Sequence, residues 1–278
     1  MGGWQWSGSA LGKSMSEAVR PLEDSPRSGT QAVERTMLIL RAVANRGHLG
    51  WQLSELAARC GLSKTTTHRL LTCLVRERMV RQNPGCHAYF PGPMLFELGL
   101  AALPERGELQ YTARNRLAAL ARQTSAVAFL FFRSDDDLVC AVRVGTARLE
   151  ARALAILPGT RKPLMVATGG VAMLLAMPPV EVRLTIQRNL ENLADYSRSE
   201  VAGMRRMLGR SFAEGVATSQ GDVIPGVNAI GAPLRDKQGA IFAAIALAGP
   251  ARRLPAERLR QFHAMLIEIV HELEALPN

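Results

Sequence analysis

The run from Leu53 to Leu74, LSELAARCGLSKTTTHRLLTCL, leaves this chain few ways to fold locally. Two short helical patterns meet at Gly61, Leu62 and Ser63. Ser54 is placed to cap the first by accepting a backbone N–H, and Leu56, Ala57 and Cys60 give it an apolar stripe. Gly61 supplies the backbone freedom of a helix stop, and Ser63 caps the next helix. At 3.6 residues per turn, Thr67, Leu70, Leu71 and Leu74 share one face of Lys64 to Met79. Thr65, Arg69, Thr72 and Arg76 share the opposite one. Lys64, Thr66 and His68 flank that free face near the positive end of the helix. The bland alternative is a helical hairpin with a solvated charged face. The sharper reading is a helix-turn-helix whose second helix enters a DNA groove.

The flanking sequence favours the sharper reading. Arg78 to Arg81 and Ala88 to Phe90 form two short predicted strands around Asn83, Pro84, Gly85, Cys86 and His87, a composition that favours a tight turn. This is the layout of a wing. Upstream, Ala32 to Asn45 carries Val33, Met37, Leu40 and Ala44 at helical spacing and stops before Gly47. Residues 31–92 thus read as a winged helix-turn-helix domain. Charge agrees: nine Lys/Arg face three Asp/Glu between Gln31 and Gly92, against 22 and 18 from Pro93 to Asn278. A basic excess concentrated in one module suits phosphate contacts. The overall charge of +10 discriminates less, since it also suits RNA or membrane surfaces.

Four further segments, together with the helix-turn-helix run, carry a family resemblance. AVERTMLILRAVA, the helix-turn-helix run through Val80, and YFPGPMLFELG at Tyr89 to Gly99 resemble the N-terminal half of the IclR family of bacterial transcriptional regulators. PGTRKPLMVATGGVAMLLAMP at Pro158 to Pro178 is similar to the family's helix-opening segment in the ligand domain. VIPGVNAIGAPLRDKQGAIFAAIALAGP at Val223 to Pro250 looks like its closing pair of strands. The resemblance spans roughly Gln31 to Leu254, with several motifs in family order.

A coarse reading of the rest gives three segments. Residues 1–30 hold Gly, Ser and Pro without a continuous apolar core and read as a disordered tail, with Met15 an alternative start. Residues 93–106 form a linker helix, with Met94, Leu95, Leu98 and Ala102 an apolar face that pairs with another subunit. Residues 107–278 form an α+β domain. Its helix at Glu108 to Gln123 precedes strands at Ala126 to Arg133 and Leu138 to Val144, joined by Asp135, Asp136 and Asp137, a solvated hairpin tip. A strand at Leu149 to Ile156 follows. Helices at Thr168 to Met177, Val180 to Asn192 and Glu200 to Glu214 precede strands at Gly226 to Leu234 and Ala240 to Leu247. The last helix spaces Leu259, Phe262, Leu266, Ile269 and Leu273 helically. The resemblance implies that this domain is a GAF-like effector domain.

Cys60, Cys73, Cys86 and Cys140 have no paired spacing and read as reduced cytosolic thiols. A zinc site drawing on Cys86 and His87 with Cys60, Cys73 or His68 lacks the usual ligand spacing, so neither metal nor cofactor is expected. No apolar run approaches the ~20 residues of a membrane span. No G-x-S-x-G, H-E-x-x-H or P-loop pattern occurs, and the second half offers only His263 and His271, so catalysis is not expected.

Ala167, Thr168, Gly169 and Gly170 precede an apolar helix, where exposed N–H groups can receive an anion. The glycine pair equally allows tight helix-on-sheet packing. The resemblance tips the choice, because family ligand domains bind small organic acids between this helix opening and the closing strands. Some members that bind very polar acids have a cysteine where Asn228 stands, a Ser-x-Ser pair where Ala246 and Ala248 stand, and an acidic residue near Thr218. The expected effector set is therefore Met165, Thr168, Gly169, Gly170, Thr218, Asn228, Ala246 and Ala248. The expected ligand is a larger or more apolar carboxylate, aromatic acids among them, anchored at Thr168 to Gly170 and oriented by Asn228.

The sequence as a whole reads as a cytoplasmic, ligand-responsive transcriptional regulator, repressor or activator. The DNA-binding set is Ser63, Lys64, Thr65, Thr66, His68, Arg69, Thr72, Arg76 and Arg81. Thr65, Arg69 and Thr72, with His68 beside them, are expected to read bases; Lys64, Thr66 and Arg76 are expected to contact phosphate, and Arg81 flanks the site from the wing. A homodimer, or a dimer of dimers as in the family, matches a near-palindromic operator. The rivals are an enzyme with an accessory DNA-binding domain and an architectural DNA-binding protein without a ligand.

Overall fold

The computed structural model describes residues 30–46, 49–102, 107–145, 156–194 and 196–276. The expected tail up to residue 29, the end of the expected linker helix at 103–106 and nearly all of the expected strand at Leu149 to Ile156 lie outside these residues.

Three helices come first among the described residues: α1 (Gln31–Asn45), α2 (Leu53–Arg59) and α3 (Lys64–Arg76). Ile39 and Val43 of α1, Leu56 of α2, and Leu71 and Leu74 of α3 bury one face each in a common core. Gly61, at φ +63°, provides the left-handed step between α2 and α3, which Cβ-bearing residues rarely take. Ser63 caps α3, its Oγ accepting from Thr66 N at 3.1 Å. Ser54 does not cap α2: the N-cap position belongs to Gln52, and Ser54 lies inside the first turn. Two strands follow, β1 (Val80–Gln82) and β2 (Tyr89–Pro91), antiparallel and a little later in sequence than expected. Arg78 breaks from the helix at φ +58° and so cannot start a strand. Asn83 Oδ1 accepts from Gly85 N and Cys86 N and holds the turn between them. Trp51 fixes this unit twice, bridging Tyr89 through both backbone bonds and donating its indole N–H to Ala42 O.

Helix α4 (Pro93–Ala102) leaves β2 directly. Met94 and Leu95 are half-buried, whereas Phe96, Leu98 and Leu100 are 68%, 51% and 50% exposed. The unpartnered apolar surface therefore centres on Phe96, Leu98 and Leu100.

The remaining elements form three layers. The middle layer is an antiparallel sheet of β3 (Val127–Ser134), β4 (Asp137–Val144), β5 (Arg161–Pro163), β6 (Ala217–Gln220), β7 (Val227–Arg235) and β8 (Ile241–Pro250), in the order β5-β4-β3-β8-β7-β6. Helices α5 (Gly107–Thr124) and α9 (Leu259–Glu274) cover one face against Ala128, Leu130, Ile245 and Leu247. Helices α6 (Thr168–Ala176), α7 (Pro179–Glu191) and α8 (Arg198–Glu214) cover the other against Val127, Phe129, Phe131 and Ala244. A strand buried on both faces shows no polar alternation, which explains why β3 reads as one apolar run. The short edge strands β5 and β6 escaped the sequence reading, being too short to show a period of two. On α9 the buried residue of the penultimate turn is Val270, not Ile269.

The acidic turn is not simply solvated. Arg188 and Thr185 donate to the Asp136 carboxylate, and Asn189 Nδ2 donates to its carbonyl at 2.8 Å. The Arg188 hydrogen bond holds the Asp136 carboxyl below the usual carboxylate range. Asn189 Oδ1 also accepts from Met165 N, so the hairpin tip is tied through α7 to the segment before α6. Arg161 of β5 donates to Asp137 and Ser134, while its backbone N–H donates to Asn45 Oδ1 of α1 at 3.0 Å.

Candidate functional site

Two sites stand apart. The first is the outer face of α3. Thr67, Leu71 and Leu74 are buried, and Ser63, Lys64, Thr65, His68, Arg69, Thr72 and Arg76 are exposed, as the helical wheel requires. Thr66 is half-buried, and its Oγ1 accepts from the Ser63 hydroxyl at 2.9 Å. Thr72 Oγ1 donates to His68 O, leaving its acceptor capacity outward. Arg76 pairs with Glu77 at the surface. Lys64 and Arg69 form no ion pair among the described residues, so their charges face solvent. Arg81 lies on the neighbouring strand with its guanidinium 4.8 Å above the Phe90 ring centre, a stacking that orients a long side chain. The expected DNA-binding residues of α3 thus share its exposed side, with Ser63 and Thr66 more occupied by the cap than by the surface, and Arg81 is exposed on β1.

The second site is a cavity of about 170 Å³ between the sheet and the layer of α6 and α8. Phe129 and Phe131 form one wall, their rings 5.4 Å apart and 12° from parallel. Ala229, Ala246 and Ala248 continue that wall along β7 and β8, and Ser219 contributes the hydroxyl of β6. Thr168 lies at the opening of α6, whose first turn has no side-chain cap. Val223 and Ile224 close the site from the 221–226 loop. Asp222 pins that loop: Arg210 donates to both its oxygens, at 2.5 and 3.0 Å, and Gln220 N donates at 2.9 Å. Burial opposes ionisation of Asp222, but these donors and the nearby guanidinium groups outweigh it and keep the carboxyl below its usual range.

Thr168, Ala246 and Ala248 of the expected effector set face this cavity, and the other five do not. Met165 is fully buried and does not line it. A Cβ on Gly169 would stand 2.5 Å from the Phe131 ring, and one on Gly170 only 2.0 Å from Leu164 O, so both glycines serve close packing. Gly231 opposes them across the contact, 2.5 Å from Thr168 O by the same measure. Thr218 and Asn228 point to the opposite sheet face, where Asn228 Nδ2 donates to Leu254 O at 2.8 Å. The physical reason is strand periodicity. Ser219 pairs with Ala229 and looks into the cavity, so Thr218 and Asn228, one residue away, look out of it. Phe129 and Phe131 show the same spacing within β3, which would have marked them from the sequence had the cavity-side face been known.

Cys140 is buried against the same face, and burial pushes its thiol up to about 12, which leaves it un-ionised. Among the described residues no group of three or more His, Cys, Asp or Glu side chains could hold a metal, and no helix is long and apolar enough to cross a membrane.

Comparison with known proteins gives concordant matches. The profile of the IclR helix-turn-helix domain matches residues 32–84, and that of the C-terminal domain of bacterial transcriptional regulator IclR matches 102–275. The HTH-type transcriptional regulator BhcR of Paracoccus denitrificans is 29% identical over 252 residues, 90% of this chain and 88% of that protein. The HTH-type transcriptional repressor AllR of Klebsiella pneumoniae is 28% identical over 240 residues, 85% of this chain and 86% of the relative. The crystal structure of an IclR family transcriptional regulator from Brucella abortus aligns with a TM-score of 0.70 at 27% identity, covering 93% of this chain and 97% of that one. An IclR homolog from Microbacterium hydrocarbonoxydans, complexed with 4-hydroxybenzoate, shares the fold with a TM-score of 0.65 at 16% identity, over 88% of this chain and all of that one.

Proposed function

Because the chain belongs to the IclR family of bacterial transcriptional regulators, and is a DNA-binding transcription factor rather than an enzyme, we propose that it reads a near-palindromic operator as a dimer and changes its occupancy when the sheet cavity takes up a small organic acid. Residues 31–92 act as the winged helix-turn-helix, with β1 and β2 as the wing; 93–106 act as the linker helix; and 107–278 act as a GAF-like effector domain. Thr65, His68, Arg69 and Thr72 contact bases, while Lys64, Thr66, Arg76 and Arg81 contact phosphates. The observation that carries the DNA half is the exposure of Lys64 and Arg69 on a helix packed through its opposite face.

The effector reading rests on a mostly apolar cavity with a few convergent polar groups, the usual character of a small-molecule site. Thr168 lies there at the positive end of α6, where an anion is favoured. Stacked phenylalanines and alanines favour an aromatic acid over a very polar one. Dimerisation through the exposed apolar face of α4 brings two copies of α3 to successive half-sites, and pairing of dimers gives a tetramer. The chain works in the cytoplasm, where its DNA is.

Fluorescence anisotropy of the full-length protein on its own upstream DNA, at fixed salt and with a panel of aliphatic and aromatic carboxylates, tests the whole proposal. Specific binding altered by an acid supports both halves. Specific binding that no acid alters, together with no thermal shift by any acid, favours an architectural role and defeats the effector half.

A further inference from the structure

Among the described residues a single lysine or arginine lines the cavity, Lys162, and its surroundings are unusual. Lys162, on the edge strand β5, holds its ammonium 5.4 Å from the Tyr196 ring centre and forms no ion pair among the described residues. Glu200 also lines the cavity, but its carboxylate accepts from Ser197 N at 2.8 Å and from the Ser197 hydroxyl at 2.7 Å in the capping box of α8. A second cation shares this sheet face. Arg143 stands directly across from Phe129 in the β3–β4 ladder, and its Nε is buried without a hydrogen-bond partner among the described residues. A half-buried lysine stacked on an aromatic ring, with no ion pair among the described residues, places a positive charge on the cavity wall, where a charge-assisted contact to an anion is strong.

We propose that Lys162 is the counter-charge that selects a carboxylate ligand, with Phe129 and Phe131 as the wall against which its ring packs. The proposal rests on the reading of this cavity as the effector site and moves the anchor from the glycines of α6 to β5. The ligand class is an aromatic monocarboxylate: one negative group at the Lys162 end and an apolar planar body along β3 and β8. A neutral analogue of the same shape keeps the wall contacts and loses the charged one. Lys162 therefore sets the preference for acid over amide rather than the size of the ligand.

Calorimetric titration of the full-length protein with benzoate, 4-hydroxybenzoate and phenylacetate, each beside its neutral amide, reads that preference directly. The native protein is expected to favour at least one acid over its amide by about tenfold or more, as a charge-assisted contact requires. Lys162→Met should abolish the preference while leaving amide binding and melting temperature nearly unchanged, and Lys162→Arg should keep it. An acid preference that survives in Lys162→Met, or native binding of acid and amide alike, overturns the role of Lys162 and leaves the cavity as the ligand site. Binding of none of the six compounds overturns the aromatic-effector reading itself, and the counter-charge with it.

Discussion

Arg69 and Asp222 represent two ways in which a single side chain can matter here. Arg69 is exposed and makes no ion pair among the described residues, so its removal leaves the fold alone. Arg69→Ala should weaken operator binding by about 1–3 kcal/mol if its fork grips a guanine, with a much smaller loss on random DNA in the same anisotropy assay. Equal losses on both DNAs would make it a phosphate contact. Asp222 has the opposite character, being buried and fully engaged. Its folded carboxyl lies below the unfolded value of about 3.9, so its ionic bonds contribute their full stability above that pH and lose it as pH falls through the lower folded value. Denaturant titrations between neutral pH and pH 3 should show this acid loss, and Asp222→Asn should flatten it at the cost of lower stability at pH 7. An unchanged pH profile in the variant would remove Asp222 from the acid response.

At the scale of elements, α6 and α8 carry glycines with contrary roles. Gly170 is wedged against the Leu164 carbonyl, a backbone atom that cannot swing aside. Gly209 lies in the exposed interior of α8 with nothing near its missing Cβ. Gly170→Ala should therefore cost at least about 1–3 kcal/mol as overpacking, whereas Gly209→Ala should gain about 0.4–1 kcal/mol by restricting the unfolded chain; differential scanning calorimetry on the two variants checks the opposite signs. The same elements mark what the sequence could disclose. Long periodic segments such as α3 and α9, and the Gly61–Ser63 turn, were legible because a helical stripe and a cap each leave a local signature. The exposed face of α3, the one proposed to read DNA, followed from that stripe. The cavity did not, because which side of β6 and β7 looks inward depends on a register set by partners tens of residues away. The Gly169–Gly170 pair was ambiguous for the same reason, since only the nearby Phe131 ring and Leu164 carbonyl reveal packing as its role.

At the scale of the whole molecule, subunit pairing and coupling between the two proposed sites can be examined separately. Phe96→Ser with Leu100→Ser should convert a micromolar dimer into monomers in sedimentation velocity and weaken operator binding, with little change in the far-ultraviolet spectrum; a variant that stays dimeric would place the subunit contact elsewhere. Asn45, at the end of α1, accepts from the backbone of Arg161, next in sequence to Lys162. Asn45→Ala should leave the separate affinities for operator and acid nearly intact and bring the ratio of operator affinities with and without acid towards one, the quantity that defines coupling. An unaltered ratio would assign communication to another route. The close seat of α6 on the sheet, set by Gly169, Gly170 and Gly231, also bears on how such a regulator diverges. That helix has no room to settle closer, so the cavity is more readily reshaped from the strand side, where Ala229, Ala246, Ala248 and Ser219 offer small side chains to enlarge. The floor of the cavity is thus the adjustable surface, and its roof the rigid one.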